Sequence, residues 1–317
     1  MKTLKRMMVA VLAMLALTAG TAVADTDHGY SRIFIFGASF MDSGNHFALT
    51  GETAHPPFEV INFASYGIGG HHPTNGRTWV EVLAQDMELT EWAKPAYRSS
   101  AFGNYAVSYG RATDILPDPV EPSLYDQVTQ WIDNGYCTGD PTNRMNDTLF
   151  IVDSAYADAL GLLAPGADPL VILGGMASGI ADNLERLYDC GAHNVLFAYT
   201  APLEKSPIVP EDPTQPSLSA FYNYLLLEPT VVAVYSGEQF NMNISTVDFF
   251  AFIIGMMDSP EAYGLTNVTE TCITPFVTQG AFCKNRDEYF FWDALHPTKK
   301  VHALLAEFAL GQLPVPE

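Results

Sequence analysis

The stretch Ile33-Phe34-Ile35-Phe36-Gly37-Ala38-Ser39-Phe40-Met41-Asp42-Ser43-Gly44-Asn45 decides the fold of this 317-residue chain. Its first four residues are apolar on both alternating faces, the pattern of a strand covered on two sides in a parallel sheet. The run stops at a glycine. Two residues later Ser39 stands where the carboxyl edge of such a sheet opens onto a cleft. A serine hydroxyl becomes a nucleophile there once a neighbouring base takes its proton. The local run fits equally a serine that caps the next helix.

Outward from this strand, residues 104–107, 148–152 and 194–200 are further short apolar runs, each followed by small or polar residues. Helix-like segments lie between or after them, at 78–87, 123–134, 169–189, 218–235 and 297–310. Strands alternating with helices predict an α/β protein with a parallel sheet covered on both faces. Ligands gather at the carboxyl ends of such strands, which directs attention to the loops after Phe36, Val107, Val152 and Thr200. Pro207, Pro210, Pro213 and Pro216 punctuate one loop without marking a linker, and no internal repeat occurs, so residues 25–317 read as one domain.

Residues 1–24 read as a leader. Lys2, Lys5 and Arg6 precede an apolar run of eleven residues, Met7 to Leu17, and Ala22-Val23-Ala24 supplies a small-residue cleavage site before Asp25. A span needs about 20 apolar residues, so neither this run nor any later one predicts stable membrane insertion. The expectation is a secreted or periplasmic protein. Cys137, Cys190, Cys272 and Cys283 suit an oxidising compartment and show no C-x-x-C spacing. Of the three possible pairings, a local staple of Cys272 with Cys283 leaves Cys137 with Cys190; free buried thiols are the alternative. A net charge of −21, from 15 basic and 36 acidic residues, excludes nucleic acid as the main partner and suits a self-repelling, dissolved protein.

Near the C-terminus stands Phe291-Trp292-Asp293-Ala294-Leu295-His296-Pro297-Thr298. Pro297 is suited to the first position of a helix, which places Asp293 and His296 on the loop ahead of it. Three residues apart, the carboxylate can hold one imidazole nitrogen while the other faces a nucleophile. A neutral imidazole is needed for that role, so activity is expected to fall on acidification through the ordinary histidine range near 6.5.

Together these segments resemble the GDSL, or SGNH, family of serine esterases and lipases, in its lecithinase- and hemolysin-like branch. Gly37-Ala38-Ser39-Phe40 stands for the family's Gly-Asp-Ser-Leu, and Asp42-Ser43-Gly44-Asn45 for its Asp-x-Gly-Asn. Asn75-Gly76-Arg77-Thr78-Trp79-Val80-Glu81, Tyr105 within 104–107, and Tyr263 to Val268 follow in the family's order. The resemblance implies a three-layer α/β/α sandwich with a mostly parallel, flavodoxin-like sheet. It implies Ser39 as nucleophile, His296 as base and Asp293 as its orienter, acting on a small-molecule or lipid ester through an acyl-enzyme, with no cofactor and no metal.

The same resemblance implies an oxyanion hole built from the Ser39 N–H, a glycine N–H in a second block and an asparagine side chain in a third. In Asn104-Tyr105-Ala106-Val107-Ser108-Tyr109-Gly110, an ungapped match puts Tyr109 at the glycine, and one inserted residue puts Gly110 there. In Asp153-Ser154-Ala155-Tyr156-Ala157-Asp158, an ungapped match puts Ala157 at the asparagine; no asparagine lies nearby. Hydroxyls of Ser154, Tyr156 or Tyr109 are candidate substitutes. The alternative function is a catalytically impaired member of the fold that serves as a secreted ligand- or surface-binding module. Two further segments have plain readings: His71-His72, between glycines and a proline, as a solvated loop bordering the cleft, and the apolar 249–257 as a buried segment.

Overall fold

The computed structural model describes residues 28–51, 66–112, 121–154, 156–209, 217–273 and 282–316. The leader at 1–24 lies outside these, as do Ala155 and Pro210, Pro213 and Pro216. Four parallel strands, β1 (Arg32–Phe36), β2 (Thr148–Asp153), β3 (Asn194–Ala198) and β4 (Asn243–Val247), form a sheet in that spatial order. Residues 104–107 run along the other edge of β1. Tyr105 N–H donates to Ile35 O at 2.8 Å and Val107 N–H to Gly37 O at 3.1 Å, although only isolated bridges form there. Counting that segment, chain order across the sheet reverses between β1 and β2. In a parallel sheet this is the position of the ligand crevice, and the arrangement is the flavodoxin-like one.

β1, β2 and β3 are buried almost throughout, as their continuous apolar runs require. β3 stops two residues before the apolar run does, because the Asn223 side chain takes both Thr200 N–H and Thr200 O, at 3.0 and 2.9 Å. β4 reads Asn-Ile-Ser-Thr-Val and is half-buried at the sheet edge, which is why no apolar run announces it.

The helices are α1 (Asn45–Thr50), α2 (Gly67–Gly70), α3 (Trp79–Asp86), α4 (Leu124–Asp133), α5 (Tyr156–Ala159), α6 (Pro169–Asp189), α7 (Leu218–Phe221), α8 (Ala233–Ser236), α9 (Phe249–Asp258) and α10 (Lys299–Leu310). Starts follow the capping rules: Thr78 with Glu81, and Ser123 with Asp126, form capping boxes, and Asp168 caps α6 ahead of Pro169. Between α7 and α8 the chain stays helical but winds as a π-helix over Tyr222–Val232, with Pro229 inside it. Pro297 does not start α10. Its carbonyl accepts from Thr74 Oγ1 at 2.7 Å and it bridges Phe291, so the helix begins two residues later with Thr298 at the N-cap.

Two helical groups cover the two faces. Trp131 of α4 meets Phe34 and Phe36 edge-on, and α6 packs against α4. On the other side α3 packs on α10, Trp79 meets Phe249 at 5.0 Å, and Phe252 stacks on Phe308 at 4.2 Å. Each such aromatic, removed from water, contributes roughly 1.5–3 kcal/mol. The expectation that 249–257 is buried holds for one face of α9, formed by Phe249, Ile253 and Met256.

Cys137 pairs with Cys190 and Cys272 with Cys283. The first lies at the amino end of β2 and β3, where Met145 N–H donates to Gly191 O. The second lies beside a short parallel pair, β5 (Asn267–Thr271) and β6 (Tyr289–Phe291), which leads into the Asp293–His296 loop. Among the described residues no helix is long and apolar enough to cross a membrane.

Candidate active site

The loop after β1 is fixed by partners far away in the chain. Gly37 has φ 152°, and a Cβ there would lie 2.4 Å from Asp153 Cγ, so only glycine lets β1 and β2 approach this closely. The Gln127 amide clamps the same residue, accepting from Gly37 N at 2.9 Å and donating to Gly37 O at 3.0 Å. Ala38 N–H donates to Asp153 Oδ2 at 2.8 Å. Asp42, buried, accepts from the N–H groups of Gly44, Asn45, His46 and Ser108 and from Ser108 Oγ. Gly44, at φ 114°, is the N-cap of α1, and Asp42 satisfies that helix's first donors. Ser39 therefore does not cap a helix. It is half-buried, and its hydroxyl and N–H have no hydrogen-bond partner among the described residues.

Asp293 and His296 come together, as their spacing predicts. Asp293 Oδ1 accepts from the N–H groups of Leu295 and His296, at 2.9 and 2.7 Å, which folds the loop into a tight turn. Its two oxygens lie 2.9 and 2.8 Å from His296 Nδ1, and Tyr66 OH donates to Oδ2 at 3.2 Å. With Nδ1 on the carboxylate, Nε2 is the nitrogen left to exchange a proton with a substrate or nucleophile. The ring of Phe40, the residue after Ser39, lies 6.3 Å from the His296 ring.

Behind Phe40 lies a histidine that the motifs do not mark. His302 on α10 is fully buried, its ring 6.0 Å from Phe40, and its Nδ1 accepts from Trp79 N–H at 3.1 Å. Burial pushes its pKa down to about 3, and positive charge on His296 or His72 would push it the same way. His72 is buried as well, contrary to the solvated-loop reading. Its Nε2 lies 2.8 Å from Glu81 Oε2, because Glu81 serves both the Thr78 cap and this imidazole. His71 has the more exposed position, with its ring against Phe47 and its Nδ1 accepting from Arg98 at 3.2 Å. Among the described residues no cluster of three metal-ligating side chains occurs.

The structure departs from the Gly110 expectation. Gly110 N–H donates to Val107 O at 2.8 Å, closing a turn, so it is not directed at a substrate. Tyr109 is the residue at φ 65°, the left-handed conformation that a glycine adopts most easily, which favours the ungapped register. The third block agrees with its own ungapped match: Asp158, buried, accepts from Ala112 N–H at 2.6 Å and ties the two blocks together, leaving Ala157 where an amide would be needed. Of the candidate substitutes, Tyr109 packs its ring on His46, and the Tyr156 side chain lies outside the described atoms. Ser154 has its hydroxyl against that of Thr200. With Asp153 these two line a small cleft, partly open to solvent, whose apolar wall includes Phe40, Met41, Trp79 and Phe249.

The family model for GDSL-like Lipase/Acylhydrolase matches residues 33–309. A GDSL esterase/lipase of Arabidopsis thaliana is 29% identical over 328 residues, covering 88% of this chain and 81% of its own. A second from the same plant, named EXL6, is 22% identical over 355 residues and covers 96% of each. A solved structure of a GDSL-like lipase from Parabacteroides merdae covers 89% of this chain and 95% of its own, at 12% identity and a TM-score of 0.43, a likeness too loose to add to the assignment. The match across nearly the whole sheet-and-helix framework, from β1 to the end of α10, makes this chain a member of the GDSL-like lipase/acylhydrolase family.

Proposed function

We propose that the protein is an exported serine ester hydrolase, a single domain over residues 25–317, working through an acyl-enzyme. His296 Nε2 takes the Ser39 hydroxyl proton as Oγ attacks the ester carbonyl carbon. The imidazolium returns that proton to the leaving alcohol as the C–O bond breaks. Water then enters by the same route and releases the acid. Asp293 holds the ring in the required tautomer and offsets the charge that forms on it. One observation carries this reading: a buried carboxylate grips His296 Nδ1 with both oxygens, while the ring packs on the residue that follows Ser39. The leader-like start and two disulfides support export.

The second reading, a binding module without turnover, draws on the Gly110 N–H turned into its own turn and on Ala157 at the amide position. Loss of one oxyanion donor slows acyl transfer by about 10²–10³. Two assays separate the readings: turnover of p-nitrophenyl butyrate, and labelling by a fluorophosphonate probe. The expected result is turnover and labelling that disappear together in Ser39→Ala. A folded wild-type sample that shows neither excludes the hydrolase.

A further inference from the structure

Ester cleavage places a negative charge on the carbonyl oxygen, and a hydrolase needs rigid donors aimed at that point. The Ser39 N–H supplies one and the ungapped register offers the Tyr109 N–H as a second, but Ala157 leaves the third position without an amide; a donor for it stands at the neighbouring strand ends. Ser154 and Thr200, at the carboxyl ends of β2 and β3, are 1% and 2% exposed, and their hydroxyls bond to each other. A bond between two hydroxyls uses one of two protons. The second O–H of this pair has no other partner among the described residues, yet the pair lines a cleft together with Phe40 and Met41, the two residues that follow Ser39 in the chain. A buried donor left over in this way costs about 1–3 kcal/mol unless something accepts from it.

Both backbones are held in place. Asn223 clamps Thr200 at N–H and O, and Tyr222 OH donates to Ser154 O at 3.2 Å. β2 is the immediate neighbour of β1, and Asp153, one residue before Ser154, receives the Ala38 N–H. Ser154 is thus the member nearer the nucleophile loop, with Thr200 one strand further away. We infer that Ser154 Oγ–H donates to the carbonyl oxygen of the bound ester, replacing the missing amide, while Thr200 Oγ–H donates to Ser154 and orients it. Ser154 is then a catalytic residue and Thr200 a positioning residue. A hydroxyl that is itself accepting a hydrogen bond is a better donor, so the relay strengthens the outward bond.

The inference rests on the hydrolase reading and is separable from it. Wild-type protein and the Ser154→Ala, Thr200→Val and Thr200→Ser variants are compared for kcat and KM on p-nitrophenyl butyrate. Fluorophosphonate labelling rates and melting temperatures are recorded alongside, because the phosphonyl oxygen occupies the same position as the ester oxyanion. Expected is a fall in kcat of about 10²-fold in Ser154→Ala. Thr200→Val should lose about tenfold, the worth of one orienting hydrogen bond. KM should stay within about twofold, labelling should slow in parallel, and Thr200→Ser should stay close to wild type. Ser154→Ala retaining kcat within about threefold overturns the inference, as does an equal loss in Thr200→Ser and Thr200→Val, which indicates packing alone. Should Thr200→Val fail to fold, Ser154→Ala still decides the matter, since it removes one oxygen and leaves the backbone clamps in place. A wild-type protein that neither turns over nor labels removes the hydrolase reading itself.

Discussion

His296 and His302 are six residues apart, both nearly inaccessible to water and both in ring contact with Phe40, yet they are supported in opposite ways. His296 has a carboxylate on Nδ1, so a proton arriving on Nε2 meets a countercharge already in place. His302 has a backbone N–H donating to its Nδ1 and, among the described residues, no hydrogen-bond partner for Nε2. Such a ring must be neutral, with its hydrogen on Nε2, and burial holds its pKa near 3. The contrast teaches that burial alone does not make a histidine an acid–base catalyst. The partner on the far nitrogen decides whether the ring can accept charge.

The sharpest way to break the contrast is to give His296 a neutral partner. Asp293→Asn keeps the shape of the turn but offers no charge and permits the wrong tautomer. A fall in kcat of about 10⁴ is expected, read from p-nitrophenyl butyrate turnover, with melting temperature as the control. The second test concerns His302 and stability. Its folded pKa, about 3, lies below the value near 6.5 of an exposed imidazole. Between those values the unfolded chain binds a proton that the native chain refuses, so acid favours unfolding. The contribution is complete well above pH 6.5, begins to fall near that value and approaches a loss of about 1.4 kcal/mol per pH unit below it, levelling off near pH 3. Asn can accept from Trp79 N–H in the same position but does not titrate. Urea unfolding at pH 6.5 and pH 4.5 should therefore show the wild type losing about 2 kcal/mol more than His302→Asn over that interval. Equal losses exclude His302 as the source of acid sensitivity. The smallest effect belongs to Tyr66→Phe, which removes one hydrogen bond from Asp293 Oδ2. About 1 kcal/mol, or roughly a fivefold drop in kcat with KM unchanged, is expected from steady-state kinetics.

These differences also mark what sequence could reveal. β1 was legible because both its faces are buried, and the Asp293–His296 pair because three residues suffice to close a turn around one carboxylate. His72 was not, because its partner sits on a helix nine residues later and its loop is tied down through Thr74 to Pro297, more than 200 residues away. The register at Tyr109 was likewise hidden: nothing in a residue's identity states the sign of φ when a tyrosine adopts a glycine's conformation. β4 escaped because an edge strand needs only one covered face; Ser154 was already a candidate hydroxyl, but its Thr200 partner was hidden because two hydroxyls on separate strands share no motif. The serine-as-cap alternative could be dismissed only once the five donors on Asp42 were known.

The Cys272–Cys283 bridge has a consequence for where the protein can mature. Cys272 N–H donates to Phe291 O and Ile273 N–H to Trp292 O, so the crosslinked segment is the backing for the two residues just before Asp293. The four-stranded sheet does not depend on that bridge. Synthesis in a thiol-reducing cytoplasm leaves both bridges open, so it would be expected to give a chain whose β2 and β3 lose the Cys137–Cys190 tie at their amino ends and whose Asp293–His296 loop is slack: nearly inert towards esters, and revived by air oxidation.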